Sequence, residues 1–229
     1  MNRAARQTPA RGPNLRRHTV AWLLAALCLW WWPAPQAIAH PHAWIDIVVV
    51  FETNPDDEVT AITQTWIIDP TYSRYLHDDA MAQFEGATPE EKLANLGAEI
   101  LDNLGEYHWY TEIHADERGI AVQPEGPPEL VMRDRQIRFQ FRLTLAEPVD
   151  PRTQTLRYAI YDPTYFIEVL HEPAIPPRLE LSTGPCRLDI LKPRPDPMIV
   201  ARALALDYNQ TGEADLGRHF AEKVTAHCD

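Results

Sequence analysis

His40-Pro41-His42 places two imidazoles one residue apart, directly behind the short stretch Ala37-Ile38-Ala39. A cut after Ala39 makes His40 the first residue of the chain. Its α-amine, with an unperturbed pKa of about 8, is then partly unprotonated at neutral pH. That amine and Nδ1 of the same ring close a six-membered chelate around a borderline metal ion, so one residue supplies two nitrogens. A histidine third from a free terminus often completes an all-local site from the amine, two deprotonated backbone amides and the imidazole. Here Pro41 has no amide proton to lose, so that arrangement cannot close. The ion must be shared between His40, His42 and groups supplied by the fold. Nitrogen-rich coordination suits nickel, cobalt, zinc or copper and not calcium or magnesium.

The remaining ligands are less sharply marked. Asp46 falls on the same strand face as His42, but four residues on, about 13 Å at strand rise, so sharing one ion directly would require a bend. Asp69, Asp162, His77, His108, His114 and His171 are further candidates, and His219 stands alone near the end of the chain. Asp69 and Asp162 open two copies of the same tetrapeptide, Asp-Pro-Thr-Tyr, at 69–72 and 162–165. Asp before proline is a turn signal. The copies are either two similar strand exits or two carboxylates facing a common site.

The elements that must position these residues begin with a leader. Residues 1–39 hold five arginines and no acid, then the apolar run VAWLLAALCLWWW at 20–32 and the small-residue end PAPQAIA. This is the pattern of a cleavable secretory signal peptide, and its 13 apolar residues are too few for a spanning helix, which needs about 20. The expected mature chain is a single periplasmic domain, residues 40–229. Losing the five arginines takes the formal net charge from −12 to −17, which repels nucleic acid and anionic lipid and attracts cations. Of three cysteines, Cys186 and Cys228 remain, and in an oxidising compartment with no C-x-x-C spacing they read as a disulfide closing a loop of 41 intervening residues.

Alternation in AWIDIVVVF, 43–51, puts Ala43, Ile45, Ile47, Val49 and Phe51 on one face and His42, Trp44 and Asp46 on the other. A turn at 54–58 leads to a second strand at 59–68. Helical spacing of Leu76, Ala80, Met81 and Phe84, then a capping box at Thr88-Pro89-Glu90-Glu91, predicts two helices inserted after this first hairpin. Strands are expected again at 107–115, 136–145, 155–161, 164–170, 178–182 and 186–191, with proline-rich loops between. The expected fold class is α+β: an antiparallel, β-dominated domain with two inserted helices and a short C-terminal helix. Nothing in the chain has the form of a nucleophile elbow, a zinc-protease helix or a calcium loop, and with nine glycines no phosphate-cradling loop stands out.

Taken together, HPHAWID behind a leader, TWIIDPTYSRYL, NLGEYHWYTEI, LAEPVD followed by RYAIYDPTYFIEVL, and the closing FAEKVTAHC with Cys186 upstream resemble the domain of unknown function family number one thousand and seven. The resemblance covers nearly all of residues 40–229. It implies an exported bacterial protein, the periplasmic component of a transport system, paired with nickel and cobalt permeases of the inner membrane. It carries a metal-handling role onto His40, His42, Asp46 and Asp162. Relatives often have an Asp-rich loop before the helix that starts here at Thr88; MAQFEGATPEE stands in its place, so a calcium site does not carry over. His108 also departs from the family, whose members tend to have an acidic or other polar residue there. Two other readings stay open: a copper oxidase or oxygenase held by an N-terminal histidine, and a structural partner of a permease with no metal of its own.

Overall fold

The computed structural model describes residues 41–206, 210, 212–213 and 215–228. The leader, its expected cleavage after Ala39, and His40 lie outside them. The chain opens with the hairpin β1 (Ala43–Thr53) and β2 (Val59–Ile68), paired Ile45 to Ile68 and Ile47 to Trp66. Two helices come next, α1 (Pro70–Gln83) and α2 (Pro89–Asn103). Thr88 caps α2 as its sequence predicts, accepting the Glu91 N–H at 3.2 Å, while Glu91 reaches back to the Ala87 N–H at 2.6 Å.

Then come β3 (Thr111–Ala115), β4 (Arg118–Ile120), β5 (Val122–Pro124), β6 (Glu129–Arg133), β7 (Gln136–Val149), β8 (Leu156–Ile160) and β9 (Ile167–His171). The short pair β10 (Glu180–Leu181) and β11 (Gly184–Pro185), then β12 (Arg187–Leu191), α3 (Pro197–Leu204), a 3-10 turn at Leu216–His219 and β13 (Lys223–His227) complete the chain. The domain is therefore α+β and β-dominated. Its C-terminal helix is α3, and the chain closes on a strand.

The strands form two main sheets. One runs β5-β7-β2-β1-β9, with β6 also on β7; the other runs β12-β13-β8-β3-β4. They share a core. Alternation in β1 sends Ile45, Ile47, Val49 and Phe51 inward, as its sequence predicts, and the same face of β7 supplies Ile137, Phe139, Phe141 and Leu143. At one end this face meets the second sheet, with Phe51 edge-on to Tyr158 at 5.2 Å. At the other it is covered by α1 and α2, and Gly97 lets α2 approach so closely that a Cβ there would lie 2.9 Å from Leu130 Cβ. Cys186 and Cys228 are joined, 4.6 Å apart at Cα, which fastens the last strand to the segment entering β12.

Three local expectations are corrected. Residues 107–110 are not strand: Leu104–Tyr110 is a 3-10 segment in which His108, Trp109 and Tyr110 all have positive φ (52°, 51° and 56°), and β3 begins only at Thr111. The aromatic run favours a strand locally, but Trp109 is held inward by its Nε1–H to Leu101 O (3.0 Å) and Tyr110 stacks on Trp66 (5.7 Å). β9 starts at Ile167 and runs parallel to β1, so the sheet is not wholly antiparallel. Finally, α1 starts at Pro70, six residues before its apolar spacing becomes visible, because Asp69 caps it.

Candidate functional site at the start of the first strand

β1 begins between two neighbours that both leave an Asp-Pro-Thr-Tyr segment beside it. On one flank, β2 ends at Ile68, followed by Asp69. Its N–H donates to Trp44 O (2.9 Å), and its Oδ2 accepts from Trp44 N–H (3.2 Å), so a side chain completes the last rung of the ladder. Oδ1 of the same carboxylate accepts from Thr71 and Tyr72 N–H (2.9 and 3.0 Å) and starts α1. Ser73, next in line and buried, donates from Oγ to Ile68 O (3.0 Å) and accepts from Ile137 N–H (2.8 Å).

On the other flank, Asp162 is 2% exposed and receives donors on both oxygens. Oδ1 takes Thr164 N–H and Oγ1–H (both 2.8 Å) and Oδ2 takes Ile167 N–H (3.0 Å), with the Tyr110 hydroxyl close enough to feel the charge. Burial, then the Asp162 charge, pushes the Tyr110 hydroxyl well above its ordinary range, so it stays protonated. Gly217 packs against the same turn. A Cβ there would sit 1.8 Å from Asp162 O, and no larger residue fits.

His42 lies between these corners. Its N–H donates to Phe166 O (2.8 Å), one residue before the Ala43–Ile167 pair, and its ring packs on Phe166 with centroids 4.7 Å apart. The imidazole is thus half-buried on an ordered strand end. Beneath the strand, on the core side, lies a cavity of about 220 Å³ whose walls include Ile45, Tyr72, Ile100, Tyr107, Tyr110 and Ile167.

The two Asp-Pro-Thr-Tyr copies therefore bracket one place, the strand end that carries His42. Their carboxylates are spent on backbone and hydroxyl donors, and neither presents an open oxygen pair. Asp46 is exposed on the outward face between Ile67 and Leu170; burial, then the neighbouring Glu172 charge, raises its carboxyl. Among the described residues no group of three or more His, Cys, Asp or Glu is arranged to hold a metal ion. The other histidines are dispersed. His77 sits near Asp78, His108 is exposed on the left-handed turn, His114 lies on the second sheet and His219 beside α3.

His171 is part of a network that its sequence context does not announce. Its Nδ1–H and backbone N–H both reach Glu222 Oε2 at 2.8 Å, so Nε2 accepts from the Tyr158 hydroxyl, also at 2.8 Å. All three residues are buried. Burial alone would raise the Glu222 carboxyl, but the two His171 hydrogen bonds and the Lys192 charge hold it below its usual range. Burial and the Glu222 charge push Tyr158 well above its own. The network ties β8 to β9, one sheet to the other. Tyr110 and Glu222 are the functional-looking residues with no sequence signal, since nothing local marks an isolated Tyr or Glu as the partner of a group about 50 residues away.

The architecture defines an α+β domain with a half-buried strand end bracketed by a duplicated turn. The family described as "Protein of unknown function (DUF1007)" matches residues 23–228, and the chain belongs to it. An uncharacterized protein of Haemophilus influenzae is similar at 26% identity over 200 residues, covering 84% of this chain and 92% of the relative.

Proposed function

We propose that the protein is a periplasmic accessory protein that binds a divalent transition metal ion, nickel, cobalt or zinc, and passes it to or from an inner-membrane permease. The ion is cargo. His40, freed by cleavage after Ala39, supplies amine and imidazole, and His42 supplies a second imidazole. The observation that carries this reading is the fixed position of His42: a parallel rung to Phe166 on one side and the Asp69 rung to Trp44 two residues on hold the strand end rigid. Pre-organising one imidazole reduces the entropy lost when the ion is bound.

Asp162 and Asp46 take different parts in this reading. Asp162 is a buried carboxylate whose Oδ2 accepts from Ile167 N–H, where β9 begins opposite Ala43. Its oxygens already serve three protein donors, so it supports the strand end electrostatically and joins the ion only if one of them gives way. Asp46 and Glu172 add negative potential on the outward face, which attracts cations. No helix among the described residues is long and apolar enough to cross a membrane.

The test compares two purified forms, one beginning at His40 and one carrying a single glycine ahead of it, titrated with nickel, cobalt, zinc and copper by calorimetry. The expected result is binding at or below micromolar concentration by the first form and at least tenfold weaker binding by the second. Equal binding by both, or binding by neither, would refute the terminal site.

A further inference from the structure

The outward face of the first sheet carries a depression of about 260 Å³ that the metal reading does not use and does not depend on. Its floor is apolar, from Val48, Ile67, Val131 and Ile175, and its rim includes Arg133 and Arg138. Pairing registers place Arg138 opposite Ile67 of β2 and Val131 of β6, so Arg133, two residues beyond Val131, is its diagonal neighbour on the same face. Two guanidinium groups therefore project over one apolar floor.

Their state distinguishes them from the next arginine on this face. Arg142, four residues along β7, is bound by Glu52 at 3.0 Å and by Glu125. Neither Arg133 nor Arg138 joins an ion pair among the described residues, although Glu129 lies diagonal to Arg138 on the other side. Arg138 Nε is, moreover, buried with no hydrogen-bond acceptor. That nitrogen is closed to an incoming ligand, so Arg138 faces the depression it lines with its terminal NH₂ groups, which no carboxylate of the described chain occupies. Thr65 Oγ1 donates to Gln140 Oε1 (3.1 Å), which turns the Gln140 amide nitrogen, a donor, away from Thr65 and leaves it available on the depression's edge.

We propose that this depression binds a carboxylate carried on a short branched aliphatic body, with Arg138 and Arg133 on the carboxylate and Val48, Ile67, Val131 and Ile175 around the hydrocarbon. A guanidinium fork matches a carboxylate in two parallel hydrogen bonds. The volume lies just below the usual range for small-molecule pockets, which sets a limit of one small aliphatic group. Two sources carry this chemistry, a free branched-chain acid and the C-terminal leucine of a peptide.

The experiment titrates the mature protein with 4-methylpentanoate, with acetyl-Ala-Ala-Leu bearing a free C-terminus, and with the amide of that peptide, following backbone shifts by NMR. Saturable shifts at Val131 and Arg138 are expected with the free acid, the free peptide or both, and not with the amide. Binding by the peptide alone identifies a chain terminus as the ligand, and by 4-methylpentanoate alone a small metabolite. Arg138→Gln and, separately, the exposed Arg133→Gln should each weaken binding at least tenfold. Arg138→Met, free of ligand, should melt no lower than the parent protein, because it removes a buried donor that has no acceptor. Absence of binding, equal binding of the amide, undiminished binding in both Gln variants, or a clear loss of melting temperature in Arg138→Met would overturn the proposal.

Discussion

Asp69-Pro70-Thr71-Tyr72 and Asp162-Pro163-Thr164-Tyr165 are identical in sequence and flank the same strand end, yet one starts a helix and the other a strand. In both, the aspartate gathers the N–H two residues on (2.9 and 2.8 Å), so the local chemistry of Asp-Pro-Thr is the same. They part at the tyrosine. Tyr72 is helical and leads into SRYLHDDAMAQ, which includes good helix formers in its Leu, Ala, Met and Gln; Tyr165 has φ of 60° and leads into FIEVLH, rich in strand formers. Tyr165 is held in that conformation by stacking on Phe220 with centroids 3.8 Å apart. A short motif thus fixes its own cap, and the residues after it fix the direction of the chain. The second difference is burial: Asp69 is half-buried, whereas Asp162 is 2% exposed and also receives the Thr164 hydroxyl.

That contrast predicts unequal costs for the same change. Asp162→Asn puts an amide N–H₂ among donors in a buried turn and should lose about 3 kcal/mol, roughly 10 °C in melting temperature for a domain of this size. An effect below that of the Asp69 variant would break the comparison. Glu222 provides a buried carboxylate remote from both corners. Its pKa is depressed in the fold, so its contribution to stability is present above about pH 4.5, the unfolded range, and is lost as pH falls through the lower folded value. Urea melts of Glu222→Gln should therefore show a deficit of about 1–2 kcal/mol at pH 7 that closes below about pH 4.5. A gap independent of pH would mean that the charge on Glu222 is not what stabilises the network.

Asp69→Asn should cost about 1 kcal/mol, since asparagine caps helices as well as aspartate does and only the Trp44 rung is weakened. The smallest contrast is between the threonines. Thr164→Val removes a hydroxyl donor to Asp162 and should cost about 1 kcal/mol, while Thr71→Val, whose backbone N–H alone serves Asp69, should stay within about 0.5 kcal/mol in the same thermal melts. Equal losses would show that the two turns work alike after all.

Much of the fold is legible in the sequence where periodicity and caps act locally. The inward face of β1, the capping box at Thr88 and the half-buried alternation of β7 come from side-chain spacing, and Cys186 with Cys228 from compartment and count. The rest depends on partners distant in sequence. His108, Trp109 and Tyr110 alternate like a strand but are turned left-handed by contacts with Leu101, Trp66 and Asp162. The hairpin between β6 and β7 turns on Asp134-Arg135, both at positive φ (51° and 65°), without the Asn-Gly that would mark it. At the candidate site, the backbone partner of His42 is Phe166, and the Asp162 carboxylate nearby spends its oxygens on Thr164 and Ile167, which spacing alone does not reveal.

The central claim, that a transition metal sits on the terminus exposed by cleavage, is tested most directly at the imidazoles. Protein labelled with ¹⁵N-histidine and beginning at His40 would be titrated with zinc, and the ring nitrogens of His40, His42 and His171 followed by NMR. The account predicts that one ring nitrogen of His40 and one of His42 shift together and saturate at one zinc per chain, while His171, locked between Glu222 and Tyr158, does not move. Zinc-dependent shifts at any histidine other than His40 and His42, or none at these two, would contradict it.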